Sequence, residues 1–248
     1  MRVLLAVLLM LALPAKAEEI VLGLSQDEVA ITATFEGSDI LIFGAIKRDA
    51  PTPDGDLGII VTVSGPDGPV TVRRKERRFG IWVNTDAVEI DSAPSFYAVA
   101  SSGPMDEVLR ATEDLRHRIT IPRALRAVGA NVMDSQNFSR ALIRIRAGED
   151  RYQRLEGAVD FEEGTLFRTS ISLPANLTEG EYRTRIFLTR DGTIVDEYNT
   201  IIPVRKVGLE RWLYRLAHDQ AWLYGLMSLA IAIAAGWGAS AVFSLLRR

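Results

Sequence analysis

The sequence predicts a mainly β protein: immunoglobulin-like β-sandwich units with a helical insert, followed by an interfacial helix and one C-terminal transmembrane helix. Three observations carry this. Residues 20–101 and 155–204 alternate apolar and polar in short runs parted by turn residues, the period of half-buried strands. Residues 104–153 change to helical spacing. Trp222–Leu246 then runs for 25 residues without a charge.

That last run sets the context for the rest. At ~1.5 Å per residue, a helix of this length crosses the ~30 Å hydrocarbon core of a bilayer with some tilt. It holds no Pro and is rich in Ala and Leu. The alternative is a buried helix in a soluble core.

At the other end, residues 1–17 have the form of a secretory signal peptide. Arg2 supplies the positive start, Val3–Leu13 the short apolar core, and Ala15-Lys16-Ala17 a small-x-small cleavage site. The expected topology is single-pass, with the bulk of the chain outside the cytoplasm and the C-terminus cytoplasmic. Basic residues on the outer flank (Arg205, Lys206, Arg211, Arg215) outnumber Arg247 and Arg248, which by charge alone favours the reverse. The signal peptide takes precedence, because a domain already crossing carries its own charges with it.

Within these limits, 18–103 is expected to be a β-sandwich domain. Ile20/Leu22/Leu24, Val29/Ile31, Ile59/Val61/Val63, Val70/Val72 and Ile81/Val83 alternate, and Phe96–Ala100 closes the series. Asp39–Ala45 is a more continuous apolar run, suited to a strand covered on both faces. Turn residues such as Gly65-Pro66-Asp67-Gly68 and Ser92-Ala93-Pro94 separate the runs.

Residues 104–154 form the helical insert. Met105, Val108, Leu109 and Thr112 make one helical face, and Phe138, Ala141, Leu142 and Ile145 make another over Ser135–Arg151. Residues 155–205 return to strands as a second β unit, with Asp191-Gly192 as a hairpin turn. Residues 206–220 form an amphipathic juxtamembrane helix, 221–246 the transmembrane helix, and 247–248 a cytoplasmic tail. On the juxtamembrane helix, Trp212 and Tyr214, with Trp222 and Tyr224 beyond it, have the amphipathic rings of an outer-leaflet interface. A rigid stalk is the plainer alternative.

Composition excludes several functions. Lys and Arg total 29 against 32 acidic residues, a net charge of −3, so there is no basic footprint for nucleic acid. There is no cysteine, hence no disulfide, thiolate metal site or cysteine nucleophile. His117 and His218 are far apart, and His117 lies between two arginines, a poor cation site. No phosphate-binding glycine loop or nucleophile elbow is present. No cofactor, metal or catalytic residue is expected.

Two features suggest binding instead. Ser228, Ala232, Gly236 and Ser240 recur every four residues, a small-residue row that lets another membrane helix, or a second copy of this one, approach closely. Arg73, Arg74, Lys75, Arg77 and Arg78 pack five bases into six residues, a patch for lipid phosphate, an acidic partner or an anionic solute. A solvated strand end is the plainer reading of that run. Trp82, just beyond, is expected in the core.

The order of certain short sequences completes the reading. Phe35-Glu36-Gly37-Ser38 precedes Ile42-Phe43-Gly44-Ala45, Ser64-Gly65-Pro66 and Arg74-Lys75. Gly80-Ile81-Trp82-Val83-Asn84, Pro94-Ser95-Phe96-Tyr97-Ala98-Val99, Leu166-Phe167-Arg168 and Leu173-Pro174 follow. Gly180-Glu181-Tyr182, Tyr224-Gly225-Leu226 and Gly236-Trp237 close the series. The chain thereby resembles the alphaproteobacterial putative transmembrane protein family of unknown function, over nearly all of the predicted mature length. The resemblance implies a bacterial inner-membrane protein with a periplasmic domain, of a family whose members are often encoded beside permeases resembling sulfite exporters. The expectation is a non-enzymatic accessory protein that assists or docks on a polytopic permease in inner-membrane lipid. An oxyanion-binding module, using the Arg73–Arg78 cluster or the insert arginines, and a self-associating structural or adhesive envelope protein are the alternatives.

Overall fold

The computed structural model describes residues 18–26, 28–32, 35–48, 54–126, 135–206 and 209–246. The predicted signal peptide and the Arg247-Arg248 tail lie outside these residues. The described chain falls into two compact units. One holds nearly all of 18–204; the other holds 205–246 with a short piece near residue 31.

The first unit is built of layers. One sheet has the order β1 (Glu18–Leu24), β3 (Gly37–Arg48), β10 (Leu166–Pro174), β9 (Asp160–Glu162). The second has the order β2 (Val29–Ile31), β12 (Thr193–Lys206), β11 (Gly180–Arg190), β4 (Leu57–Ser64), β7 (Tyr97–Ser101), β8 (Tyr152–Leu155). Pairing is antiparallel in the described ladders except between β7 and β8, which are parallel. β5 (Asp67–Arg78) and β6 (Ile81–Pro94) pair with each other as a separate long hairpin.

The stretches read as an 18–103 sandwich and a 155–205 β unit share their sheets. β3 pairs with β10 and β4 with β11, so each sheet takes strands from both stretches. The second stretch finds here the partners its few strands require. The two sheets are also joined by hydrogen bonds, as from the Ile20 amide to Asp196 Oδ2 at 3.1 Å.

Burial follows the strand period. Ile20, Ile40, Ile42, Ile46, Phe167, Ile171 and Leu173 point inward from the first sheet. The strand covered on both faces is β4, where Gly58–Val63 is buried throughout, and not β3. Leu41 and Phe43 of β3 are exposed, because no described element covers the outer face of the first sheet, whereas the helical insert covers that of the second.

The insert holds α1 (Met105–Val108), α2 (Ala111–His117), α3 (Ile121–Ala124) and α4 (Ser135–Gly148). Met105, Leu109, Ile119 and Ile121 pack with Ile60, Tyr97, Val99, Tyr152 and Phe187 from the sheet. The helical face read from Met105 to Thr112 is interrupted: Leu109 is extended (φ −143°, ψ 118°), which separates α1 from α2 while keeping Leu109 buried. Buried Phe138 and Leu142 hold α4 in place, and Ile145 is exposed.

The Asp191-Gly192 turn joins β11 and β12 with both residues at positive φ (49° and 74°), the type I′ geometry of a two-residue hairpin.

In the second unit, α5 (Leu209–Asp219) is followed by α6 (Ala221–Leu246). Gln220 separates them, its amide bonded back to Leu216 and its carbonyl accepting from the Leu223 and Tyr224 amides. α6 is long and apolar enough to cross a membrane, and none of its spanning window is buried in the fold.

Candidate functional site

The predicted basic patch lies on the distal half of the β5–β6 hairpin. The proximal half is anchored. Val72, Val88, Ile90 and Ala93 form a core with Phe138 and Leu142 of α4. Side chains alternate along β5, so Arg74 shares the Val72 face. Its guanidinium sits 4.8 Å from the centre of the Phe138 ring and 3.7 Å from Asp86 Oδ2. Arg74 therefore lies on the face packed against α4, which separates it from Arg73, Lys75 and Arg77 on the opposite face.

Beyond Arg74 the ladder shifts register. Arg74 faces Asp86 but Lys75 faces Asn84, leaving Thr85 as an extra residue on β6. Such a bulge bends the strand and sharpens its twist. Past it the pairs are Glu76 with Val83, Arg77 with Trp82 and Arg78 with Ile81. Directly paired residues share a face, so Arg73, Lys75 and Arg77 stand on the same side as Asn84 and Trp82. All five are exposed. Among the described residues no ion pair reaches Arg73, Lys75 or Arg77; Arg78 meets Glu76 at 3.5 Å on the surface.

The turn is Phe79-Gly80, both at positive φ (51° and 84°). Gly is suited to this conformation and Phe is not. Phe79 is fully exposed, Ile81 nearly two-thirds exposed and Trp82 68% exposed. Trp82 is thus at a hairpin tip and not in the core. Its alternation with the strand-forming pair Ile81 and Val83 is real, but at this distance from α4 no described element covers the Trp82 side of the ribbon.

The remaining predicted residues belong to the second unit. Ser228, Ala232, Gly236 and Ser240 of α6 are all exposed, and a Cβ added to Gly236 would meet nothing within 4 Å. Of the aromatic set, Tyr214, Trp222 and Tyr224 are exposed. Tyr214 stacks on His218 with ring centres 4.0 Å apart, and His218 Nδ1 lies 2.9 Å from the Tyr214 carbonyl. Trp212 is in α5, with its side chain outside the described ones.

The insert arginines are largely committed to the fold. Arg146 donates to the carbonyls of Pro94 and Ser95 (3.0 and 2.8 Å) and lies over the Tyr152 ring. Arg116 pairs with Glu113, Arg151 with Glu149, and Arg154 with Glu156. His117 is held by Glu197 at 3.1 Å and Glu113 at 3.7 Å. Among the described residues, no group of His, Asp and Glu could hold a metal.

Sequence patterning did not single out Glu18. It is buried on β1 and is clasped by Arg48 Nε at 3.0 Å and Arg190 Nη2 at 2.6 Å. Burial alone would raise its pKa; the hydrogen bonds and charges of Arg190 and Arg48 outweigh that and hold the carboxyl below its ordinary value. The signal was weak, because a carboxylate and two arginines 30 and 172 residues away carry no spacing rule.

Two of the described surface clefts carry more acidic than basic residues. The widest described, about 550 Å³, is lined by Glu36, Asp39 and Asp150 without a basic residue. A smaller one sets Arg168 between Asp160 and Glu162, which already neutralise it.

Comparison with known proteins finds no match among curated ones. A family described as putative transmembrane protein, alphaproteobacterial by name, matches residues 19–245. The match spans both units and includes the hairpin, the insert and most of α6. The chain belongs to this family.

Proposed function

We propose that this member of the transmembrane family is a non-enzymatic accessory protein of the bacterial inner membrane. Its β-rich unit lies in the periplasm, and α6 docks on a polytopic membrane protein. An anion permease of the sulfite-exporter type is the partner class that the family resemblance implies. The observation that carries the reading is the row Ser228/Ala232/Gly236/Ser240. Its members are exposed on a helix that buries none of its spanning surface within its own chain. Association of helices in lipid depends on close packing over such small residues. Purification of the full chain from its native membrane in mild detergent tests the proposal. A stoichiometric polytopic protein is expected, lost from Ala232→Leu with Gly236→Leu; a chain that arrives alone, or a partner retained by that variant, overturns it.

An oxyanion-binding role has one observation in its favour: Arg73, Lys75 and Arg77 stand without an ion pair among the described residues. Those cations line an exposed ribbon and not a cavity, and the widest described cleft is acidic. Small solutes bind in concave sites that remove most of their surface from water. Titration calorimetry of the full chain with sulfite and sulfate should therefore give no binding heat.

A further inference from the structure

We propose that the tip of the β5–β6 hairpin inserts into the interfacial layer of a bilayer containing anionic phospholipid. Phe79, Ile81 and Trp82 are the inserted side chains, and Arg73, Lys75, Arg77 and Arg78 contact the phosphates.

Four features of the hairpin support this. The tip is apolar and projects free of the fold: Phe79 is fully exposed and Trp82 68% exposed. Trp and Phe favour the headgroup level of a membrane, where an aromatic body is shielded and the indole N–H stays hydrated. A basic collar lies directly behind the tip, with Glu76 the only acidic side chain among residues 73–84. Arg forks match phosphate oxygens, and a cluster of basic residues is attracted to an anionic leaflet.

The third feature is the turn. Phe79 holds φ 51°, a region unfavourable to a side chain of its shape, yet its ring is fully exposed among the described residues and gains no burial that would compensate. Asn-Gly would form the same turn without strain. An outlier retained at an exposed tip points to a role outside folding. The fourth is rigidity: Val72, Val88 and Ile90 lock the base against Phe138 and Leu142, so little ordering is needed when the tip engages.

Size separates lipid from a protein partner. Three side chains supply at most about 600 Å², below the roughly 800 Å² per partner of a stable protein interface. A small wedge suffices where the chain is already tethered by a spanning helix, since the second contact is then intramolecular. The inference does not depend on which partner α6 takes.

The test uses the full chain in proteoliposomes. The protein has four Trp, so the variant Trp212→Phe, Trp222→Phe, Trp237→Phe leaves Trp82 as the sole tryptophan emitter. With phosphatidylglycerol present, its emission should shift to the blue and be quenched by brominated acyl chains. Arg77→Glu with Arg78→Glu should lower this partitioning by about tenfold or more, and Phe79→Asn with Ile81→Ser should abolish it. If the triple variant fails to insert, Asn84→Cys in the otherwise intact chain, which has no other cysteine, carries an environment-sensitive fluorophore, with Glu156→Cys as the control site. A tip that stays in water in both phosphatidylcholine and phosphatidylglycerol overturns the proposal. So does a tip protected only when native membrane proteins are present, which would assign it to a protein.

Discussion

The carboxylate of Glu18 on β1 lies 2.6 Å from the guanidinium of Arg190 on β11, tying one sheet of the β-rich unit to the other. Arg48 of β3 holds the second carboxylate oxygen, and both partners are themselves largely buried. Removing one member of such a cluster leaves uncompensated charge inside the protein. Glu18→Ala should therefore cost about 3–5 kcal/mol in denaturant unfolding of the full chain.

The same group sets a dependence on acid. Its folded pKa is below the ordinary value of 4.5. Its contribution to stability is thus fully present above pH 4.5 and is lost as pH falls through the lower, folded pKa. Unfolding of the wild type should steepen with acidification below that point. Glu18→Gln should flatten this part of the profile; an identical slope in the two proteins would show that the clasp does not couple to folding.

Tyr152 sets the opposite limit. Its hydroxyl donates to the Pro94 carbonyl at 2.8 Å, and burial pushes its pKa up to about 12. A raised folded pKa means stability that is complete below the unfolded value of 10.0 and is lost as pH climbs toward 12. Tyr152→Phe should lower stability at neutral pH by about 1 kcal/mol through the lost hydrogen bond. It should also shallow the alkaline decline, followed by phenolate absorbance and circular dichroism together.

The hairpin base depends on α4. Phe138→Ala removes the ring beneath Arg74 and opens the Val72–Val88 core, at a cost of about 3–5 kcal/mol. Amide exchange along β5 and β6 should accelerate more than along β4, which is hydrogen-bonded within the six-stranded sheet. Uniform acceleration in all strands would mean that the hairpin has no separate anchorage.

At the tip the expectation has the other sign. Phe79→Asn relieves an unfavourable left-handed conformation and should stabilise the hairpin by about 1 kcal/mol, with slower exchange of the turn-proximal amides. A destabilised variant would mean that the ring makes a contact in the folded state.

Much of this architecture is legible in the sequence where the signal is local. Continuous apolarity in Trp222–Leu246 and alternation in Phe167/Thr169/Ile171/Leu173 appear as α6 and as the buried face of β10. The positive-φ turn at Asp191-Gly192 is equally local, since short polar and glycine side chains allow it. Misreadings arose where coverage was at issue. Asp39–Ala45 and Gly58–Val63 have similar apolar density, but only the second lies between a sheet and the insert. The candidate site shows the same division: the basic residues of β5 stand out in the chain, whereas the sorting of Arg74 onto the face packed against Phe138 and of the others onto exposed positions was decided by the tertiary structure.

By itself, then, the sequence determined the C-terminal helix long and apolar enough to span a membrane, the strand periods and the Asp191-Gly192 turn, because each follows from a few neighbouring side chains; the predicted Ser92-Ala93-Pro94 turn instead ends strand β6. Only the tertiary structure decided that β3 takes β10 and β4 takes β11, that Glu18 meets Arg190, and that Trp82 stands in solvent. Those outcomes rest on contacts between residues far apart in the chain, and on whether another layer happens to cover a face. The period of a strand says that it has two faces; what lies against each is set by the rest of the fold.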